Sequence, residues 1–201
     1  MARALAVLTV GHSRHSLERF VALLEAARAT SVADVRSAPV SRFSPHFNKR
    51  ALAVSLDSRG IAYVLLGNEL GGRPQQQELF TGGVANYEKM AAAPSFQSGL
   101  DQLMLGAEDY RIAVMCSETD PLDCHRCLLV GRALAGAGVE VGHILASGAV
   151  MPHSEAEERL LHLADLAEPS LLLPSRGMRL AEAYRCRCRK VAYTRPEKPR
   201  V

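Results

Sequence analysis

The sequence lacks the features that mark membrane-spanning, secreted and repetitive proteins. No apolar run approaches the roughly 20 residues of a membrane-spanning helix. The first residues, MARALAVLTVGHS, include a short apolar stretch but no small-residue cleavage site, which predicts a first β-strand and not a secretion signal. No internal repeat is visible. We therefore expect a single folded protein without membrane partners.

A disulfide framework and a structural zinc motif are also absent. The five cysteines are an odd number and are not spaced as in secreted disulfide-rich domains, which favours reduced thiols and a cytoplasmic location. No paired CxxC sequences occur, and the spacing of Cys116, Cys124 and His125 is not that of a structural zinc site. We predict no metal. A metal site is the alternative, because these three residues and His12 could supply sulfur and nitrogen ligands.

The residues that are present suit one soluble domain, with 201 residues of which 48% are hydrophobic and 22% are charged. The charge is unevenly distributed. From Pro169 onward, nine lysines and arginines accompany two glutamates, so this tail carries about +7 and the rest of the chain about −4. We predict an α/β domain over residues 1–168 and a basic extension over residues 169–201.

Buried-type strands alternate with amphipathic helices along the chain. Five strands are predicted, at residues 5–10, 31–35, 61–66, 111–115 and 139–145. Helices are predicted at residues 16–28, 48–59, 86–90 and 95–108, from 121 onward, and at 154–166. This alternation predicts a single Rossmann-like three-layer α/β domain with a mostly parallel sheet of about five strands.

The segment RIAVMCSETDPLDCHRCLLVGR, residues 111–132, holds the densest group of reactive side chains. Its strand ends at Cys116, and Asp120 and Pro121 have the pattern of a helix N-cap followed by a proline at the first helical position. Two thiols, an imidazole, a guanidinium and carboxylates therefore lie at one strand-to-helix junction. Ligands bind at such junctions in open α/β sheets. The sequence thus predicts a functional site here.

In the predicted fold, the loops after the first four strands meet at one edge of the sheet. Their arginines, histidines and hydroxyls, beside a helix N-terminus, favour a pocket for an anion and especially for phosphate. We predict catalytic roles for Cys116, Glu118 and His12. We predict substrate binding by Ser13, Arg36, Arg42, Glu69, Cys124, His125 and Arg126. No cofactor and no oligomeric state are assigned.

Several of these residues also have a purely structural interpretation. Cys116 at the end of a buried strand is typical of core packing as well as of a nucleophile, and Cys127 shares a helix face with Leu128 and is predicted to lie in the core. A phosphatase-type anion loop would place an arginine where this chain has Leu122. Cys124 and Cys127 have the spacing of a redox dithiol, but no thioredoxin-like strand directly precedes them.

Nine short motifs match a known pattern. They are TVGHS (9–13), DVR (34–36), PVSR (39–42), FNK (47–49), GIAY (60–63), ELGG (69–72), MCSE (115–118), CHR (124–126) and HI (143–144), accompanied by Tyr87 and Phe96. With them, the chain resembles the large, mainly bacterial domain-of-unknown-function family numbered four-eight-eight over roughly residues 5 to 146. The resemblance implies an α/β domain with a polar pocket and no established reaction. Cys127 and the basic tail are outside the shared pattern.

Two functions are consistent with these residues. The first is an enzyme that acts on a phosphate-bearing nucleotide or nucleic acid, with Cys116 or Glu118 performing the chemistry. The alternative is a non-catalytic module that binds a nucleotide or a nucleic-acid end.

The tail adds a third possibility, since Tyr184 and Tyr193 accompany the cations there, which are Arg185, Arg187, Arg189 and Lys190. Such a pattern is typical of single-strand or backbone binding to nucleic acid, which we predict as an accessory function. A solvated, partly disordered end and an edge strand are the structural alternatives.

Overall fold

A computed structural model describes residues 6–196 and shows a six-stranded sheet between two layers of helices. These residues form eight strands: β1 (Ala6–Gly11), β2 (Ser31–Asp34), β3 (Ala62–Leu65), β4 (Phe80–Thr81), β5 (Val84–Ala85), β6 (Ile112–Cys116), β7 (Glu140–Ile144) and β8 (Val150–Pro152). The main sheet has the order β3-β2-β6-β1-β7-β8, and β8 alone in it is antiparallel to its neighbour. The predicted three-layer α/β fold with a mostly parallel sheet is confirmed.

The same residues form eight α-helices: α1 (Leu17–Ala26), α2 (Lys49–Asp57), α3 (Gly67–Leu70), α4 (Tyr87–Ala91), α5 (Pro94–Asp109), α6 (Arg132–Gly136), α7 (His153–Leu163) and α8 (Arg176–Val191). Helices α1 and α2 bury Phe20 and Leu52 against one face of the sheet. Helices α5 to α8 bury Phe96, Leu160 and Tyr184 on the other face. No helix among the described residues is long and apolar enough to cross a membrane.

The register of the parallel strands brings the chemically important loops together. Gly11 pairs with Cys116 and Asp34 pairs with Met115, so the segments that follow β1, β2 and β6 leave the sheet side by side. Gly11 is required at this crossing, because a Cβ atom there would lie 1.9 Å from the carbonyl oxygen of Glu118. The carboxyl edge of the sheet is therefore tightly packed at its centre.

The segment after β6 differs from the predicted continuous helix. Pro121–Asp123 form only one 3₁₀ turn, in which the Asp120 side chain accepts a hydrogen bond from the backbone N–H of Leu122. The chain then becomes extended at Cys124, with φ −137° and ψ 140°. A π-helical turn at Arg126–Gly131 leads into α6. This interruption turns Cys124 and His125 back toward the end of β6.

Three other predictions are corrected by the structure. The short strands β4, β5 and β8 were not predicted, and α7 begins at His153 with Pro152 before it, not with a Ser154 cap. The basic tail forms the helix α8, capped by the Ser175 hydroxyl, and not an edge strand. Of the predicted first strand, Leu5 lies outside the described residues, as do Lys198 and Arg200 of the tail.

Candidate functional site

A cleft of about 410 Å³ lies at the carboxyl edge of the sheet, as predicted for this fold. Six of the residues singled out in the sequence line it: His12, Arg36, Cys116, Glu118, Cys124 and His125. A larger cleft of about 810 Å³ lies at the other edge of the sheet, beside Ala6 and Glu140, where β1 and β7 begin. Within residues 6–196, no cysteine lines that larger cleft, so we take the smaller cleft, which contains the reactive side chains, as the candidate functional site.

Cys116, Cys124 and His125 form a buried cluster at the floor of the cleft. Their ligand-type atoms all lie within 4.8 Å of one another. The Nδ1 atom of His125 is 3.8 Å from Cys116 Sγ and 3.9 Å from Cys124 Sγ. The other ring nitrogen, Nε2, is 3.0 Å from the carbonyl oxygen of Val35, to which it donates. The ring therefore presents Nδ1 to both sulfur atoms.

The charges in this cluster are coupled. Burial opposes ionisation of Cys124, but the hydrogen bond from Cys116 and the positive charges of Arg126 and His125 hold the pKa of Cys124 well below its usual value. The same hydrogen bond to Cys124, together with burial, raises the pKa of Cys116. Burial also acts against a charged imidazole, yet the nearby Cys124 sulfur raises the pKa of His125. Cys116 is thus the thiol that keeps its proton, and Cys124 is the thiol that loses its proton more readily.

Glu118 reaches over Cys124 from the loop after β6. Its Oε2 atom lies 2.8 Å from Cys124 Sγ, which is a short contact for sulfur. Burial and the adjacent Cys124 raise the pKa of the Glu118 carboxyl. Because these two groups are in contact, the Glu118 carboxyl and the Cys124 thiol titrate as a coupled pair.

Arg36 and His12 form the wall of the cleft next to β2. The Arg36 guanidinium makes a two-point ion pair with Asp34, at 2.9 and 2.6 Å, and also donates to the carbonyl oxygen of Phe47 at 2.7 Å. Its remaining nitrogen, Nη1, is 3.3 Å from Nε2 of His12. Burial and this guanidinium lower the pKa of His12 to about 4, so the imidazole is neutral at pH 7.

Arg126 supports the floor of the cleft from beneath. Its side chain is fully buried, and its two terminal nitrogens donate to the carbonyl oxygens of Glu118 at 2.6 Å and Thr119 at 3.0 Å. It does not line the cleft. Within residues 6–196, its Nε atom is one of two buried side-chain polar atoms without a hydrogen-bond partner. The guanidinium therefore fixes the loop that carries Glu118 and supplies positive charge to Cys124.

Besides Arg126, three predicted binding residues lie outside the cleft. The Ser13 hydroxyl bonds Thr119 Oγ1 at 2.6 Å, Arg42 is exposed with its guanidinium 5.0 Å from the ring centre of Phe43, and Glu69 lines a neighbouring pocket. In contrast, Arg73 and Tyr193 line the cleft, although Arg73 was not identified from the sequence and Tyr193 was noted only as an aromatic residue of the tail. Arg73 directly follows the Gly71-Gly72 pair, and this position in a long loop was the available signal.

The predicted nucleic-acid-binding arginines of the basic tail form ion pairs with other residues of the chain. Arg185 pairs with Glu88 at 2.9 Å, Arg189 pairs with Glu182 at 3.2 Å, and Arg187 bonds Asp123 and the carbonyl oxygen of Leu122. Lys190 is exposed at the end of α8. Val191 and Tyr193, which follow these cations, line the cleft. The tail thus reaches the candidate site with apolar and aromatic groups.

A second buried cluster, which the sequence analysis missed, lies behind the first. Cys127, His143 and His153 have ligand-type atoms within 4.8 Å of one another. His143 Nε2 is 3.0 Å from His153 Nδ1 and 3.6 Å from Cys127 Sγ. The outer ring nitrogens bond Thr9 Oγ1 at 2.8 Å and the Tyr184 hydroxyl at 3.0 Å. Cys127 therefore belongs to a different cluster from Cys124.

Comparison with known proteins identifies one family. The model of the family described as "Domain of unknown function DUF488" matches residues 16–133, which is more than half of the chain. No curated protein matches the sequence, and no solved structure matches it. The matched residues contain the cleft segments from α1 through the π-helical turn, including both cysteines of the first cluster and His125.

Proposed function

Because the chain belongs to the family described as Domain of unknown function DUF488, whose description assigns no reaction, we propose a function from the chemistry of the cleft. We propose that the protein is an enzyme that acts on a phosphate-bearing nucleotide or nucleic-acid substrate bound at the carboxyl edge of the sheet. The observation that carries this proposal is the placement of Glu118 and the cluster of Cys116, Cys124 and His125 in one cleft.

The reactive groups support catalysis because they are held in fixed positions around an accessible space. Glu118 contacts Cys124 at 2.8 Å and also borders the cleft, so it is the group placed to give or take a proton at the substrate. His125 is held by Val35 and cannot rotate without losing that bond. Side chains held in this way are the usual arrangement in active sites.

Arg73 and Arg36 support binding of an anion. Both line the cleft, and Arg73 has its guanidinium 5.4 Å from the ring centre of Tyr193, with its backbone N–H donating to Ser37 Oγ at 3.1 Å. Arg36 has its donors largely directed to Asp34 and Phe47. Arg73 is therefore the cation best placed to bind a phosphate group directly.

The test is turnover and binding measured on the same proteins. The wild-type chain is incubated with nucleoside mono-, di- and triphosphates and with 5′-phosphorylated oligonucleotides, each beside its unphosphorylated counterpart, and products are identified by mass spectrometry. We expect Glu118→Gln to lower kcat by at least about 100-fold while the Kd stays within about threefold of the wild-type value. The matched control is Glu108→Gln, which changes an exposed glutamate on α5 and is expected to leave both values unchanged.

Substrate recognition is tested with Arg73→Gln. Loss of a charge-assisted hydrogen bond is expected to weaken binding of the phosphorylated ligand about tenfold or more, without changing binding of the unphosphorylated one. Arg50→Gln, an exposed substitution on α2, serves as the control. Equal effects on both ligands would show that Arg73 does not recognise phosphate and would contradict this part of the proposal.

A non-catalytic binding module is the second candidate, and one observation favours it. Cys116 and Cys124 are only 4% and 2% exposed, so direct attack by either sulfur requires a local opening. In a binding module, Glu118→Gln would alter affinity only. Binding of a phosphorylated ligand by wild-type protein without any product would support this candidate and contradict the enzyme proposal.

A further inference from the structure

We propose that Cys116, Cys124 and His125 bind one zinc-class transition-metal ion at the floor of the strand-end cleft. The inference deepens the proposed function, on which it rests for the role of the ion in turnover. The binding of the ion rests on the geometry of the three side chains alone.

The two sulfur-to-nitrogen distances within the cluster are close to those of a shared metal ion. A tetrahedral zinc site, with Zn–S bonds of about 2.3 Å and Zn–N bonds of about 2.0–2.1 Å, separates a sulfur from a nitrogen by about 3.6 Å. The two sulfur-to-Nδ1 distances are 3.8 and 3.9 Å, at the outer limit for hydrogen bonds to sulfur. Shifts of a few tenths of an ångström would bring both sulfur-to-nitrogen distances to the value of a zinc site.

The His125 ring is oriented as in metal sites. A metal-bound histidine usually donates its second ring N–H to a carbonyl or carboxylate, which fixes the tautomer and the ring plane. Here Nε2 donates to Val35 at 3.0 Å, so Nδ1, which faces both sulfur atoms, is the nitrogen that would bind the ion after loss of its proton. The outer partner of the proposed ligand is therefore already in place.

Two neighbouring residues, Gly72 and Arg126, stabilise the proposed ligands His125 and Cys124. Gly72 packs directly on His125, where a Cβ atom would lie 2.8 Å from the ring, and this contact prevents rotation of the imidazole. The backbone N–H of Arg126 donates to Cys124 Sγ at 3.4 Å, which is the kind of bond that stabilises a metal-bound thiolate. The proposed ligands are thus supported from two directions.

The ligand set identifies the class of metal. Thiolate and imidazole select zinc and similar ions and are poor ligands for magnesium or calcium. Two cysteines and one histidine give three protein ligands, and a set of three is typical of catalytic zinc sites, which keep one position open. All three residues line the cleft, as does Glu118, so that position would be reached from the substrate side.

The second cluster provides a contrast and a control. In the cluster of Cys127, His143 and His153, the ring nitrogens are bonded to each other, to Thr9 and to Tyr184, so its polar groups are satisfied without an ion. Cys127 follows Cys124 by three residues and is also buried. Cys127→Ala therefore removes a buried thiol of the same segment without touching the proposed site.

The experiment uses the full chain. Purified protein is stripped with a chelator, and zinc is then titrated in competition with a chromophoric chelator, while cobalt(II) is added separately to report the ligand set by absorption. We expect one zinc ion per chain, and a cobalt spectrum with thiolate charge-transfer bands and the intense d–d bands of a tetrahedral site. We expect Cys116→Ala and His125→Ala each to weaken zinc binding at least about 100-fold, whereas Cys127→Ala leaves it unchanged.

Several results would overturn the metal site. Absence of zinc binding by wild-type protein would do so without reference to any variant, and so would an equal loss of affinity in Cys127→Ala. Circular dichroism identifies variants that fail to fold. If Cys116→Ala is one of these, Cys116→Ser replaces it as a milder change.

The failure of the metal site and the failure of the enzyme proposal are distinguishable. Turnover that persists in chelator-stripped protein contradicts the ion alone, while zinc binding without turnover of any substrate contradicts the enzyme alone.

Discussion

The Nε2 atom of His125 lies 3.0 Å from the carbonyl oxygen of Val35, and this bond determines which side of the imidazole faces the cysteines. It joins the residue that directly follows β2 to the start of the π-helical turn. Since β2 and β6 are neighbours in the sheet, the bond also sets His125 beside Cys116 at the end of β6. The chemistry of the cleft thus depends on the order of the strands.

The position of the His125 ring is tested by Gly72→Ala. The added methyl group would lie 2.8 Å from the ring, so the ring or the loop after α3 must move, at a cost of about 1–3 kcal/mol. We expect a fall in stability of that size, measured by urea unfolding, together with a loss of zinc affinity.

Gly136→Ala is the matched control, because a Cβ atom at Gly136 meets nothing within 4 Å. A small gain in stability, about 0.5–1 kcal/mol, is expected at this helical position. If Gly72→Ala left both stability and zinc affinity unchanged, the ring would not be fixed by this packing.

Arg126 is predicted to be a main structural support of the cleft. Arg126→Met retains much of the apolar volume but leaves the part-buried carbonyl oxygens of Glu118 and Thr119 without their donor, at about 1–3 kcal/mol for each. We expect the free energy of unfolding to fall by about 3 kcal/mol or more, measured by denaturant titration. Arg14→Met, at an exposed position, should change it by less than about 0.5 kcal/mol. A similar small effect at Arg126 would contradict the supporting role.

Much of the fold could be predicted because burial is visible as periodicity. The short segment SVADV at residues 31–35, with its two valines, predicts β2, and Phe96, Leu100 and Leu103 predict the buried face of α5. β8 has only three residues and produces no such signal. In α8, the alternation of arginine and cysteine obscured the helical spacing of Leu180, Tyr184 and Cys188, which contact the core.

The candidate site was only partly predictable for a different reason. Strand-end logic locates Cys116, Glu118 and His125 in one cleft, because parallel strands deliver their following loops to one edge. It does not show that Arg126 turns inward to bind backbone carbonyls, or that the 3₁₀ turn at Pro121–Asp123 returns Cys124 to Cys116. Both depend on loop geometry, for which the sequence has no periodic pattern.

The tail's contribution to nucleic-acid binding remains a prediction with a sharper test. Tyr184 is 2% exposed and bonds His153, so deletion from this residue onward would damage the core. The substitution of Arg185, Arg189 and Lys190 by glutamine removes three exposed charges instead. We expect weaker binding to single-stranded oligonucleotides and a salt dependence whose logarithmic slope falls by about one per lost phosphate contact.

The control removes the same charge from the opposite helical layer. Arg28, Arg50 and Arg59 are exposed on or next to α1 and α2, and their replacement by glutamine should leave the slope unchanged. If the salt dependence of oligonucleotide binding had the same slope in wild-type protein and in the tail variant, the three tail residues would not form a binding surface. Pairing of Arg185 with Glu88 and Arg189 with Glu182 means that binding must compete with these ion pairs.

The buried histidines of the second cluster connect stability to pH. Burial and the neighbouring His153 lower the pKa of His143 to about 3, and burial also lowers the pKa of His153. Besides His153, the charged groups that influence His143 are Arg126, Asp120 and Arg159. His143 is neutral in the folded protein near pH 5, whereas in the unfolded chain it is protonated below about pH 6.5. The unfolded state therefore binds more protons as the pH falls.

Replacing His143 with glutamine should accordingly reduce the loss of stability in acid. Since stability rises with pH wherever the unfolded state binds more protons, the wild-type protein loses stability as the pH falls from 7 toward 3, and His143 accounts for about 2 kcal/mol of this between pH 7 and 5. Urea unfolding at intervals of pH measures the difference between wild type and variant. His162→Gln, on the exposed face of α7, is the control. Parallel pH profiles for wild type and His143→Gln would show that His143 is not held neutral in the folded state.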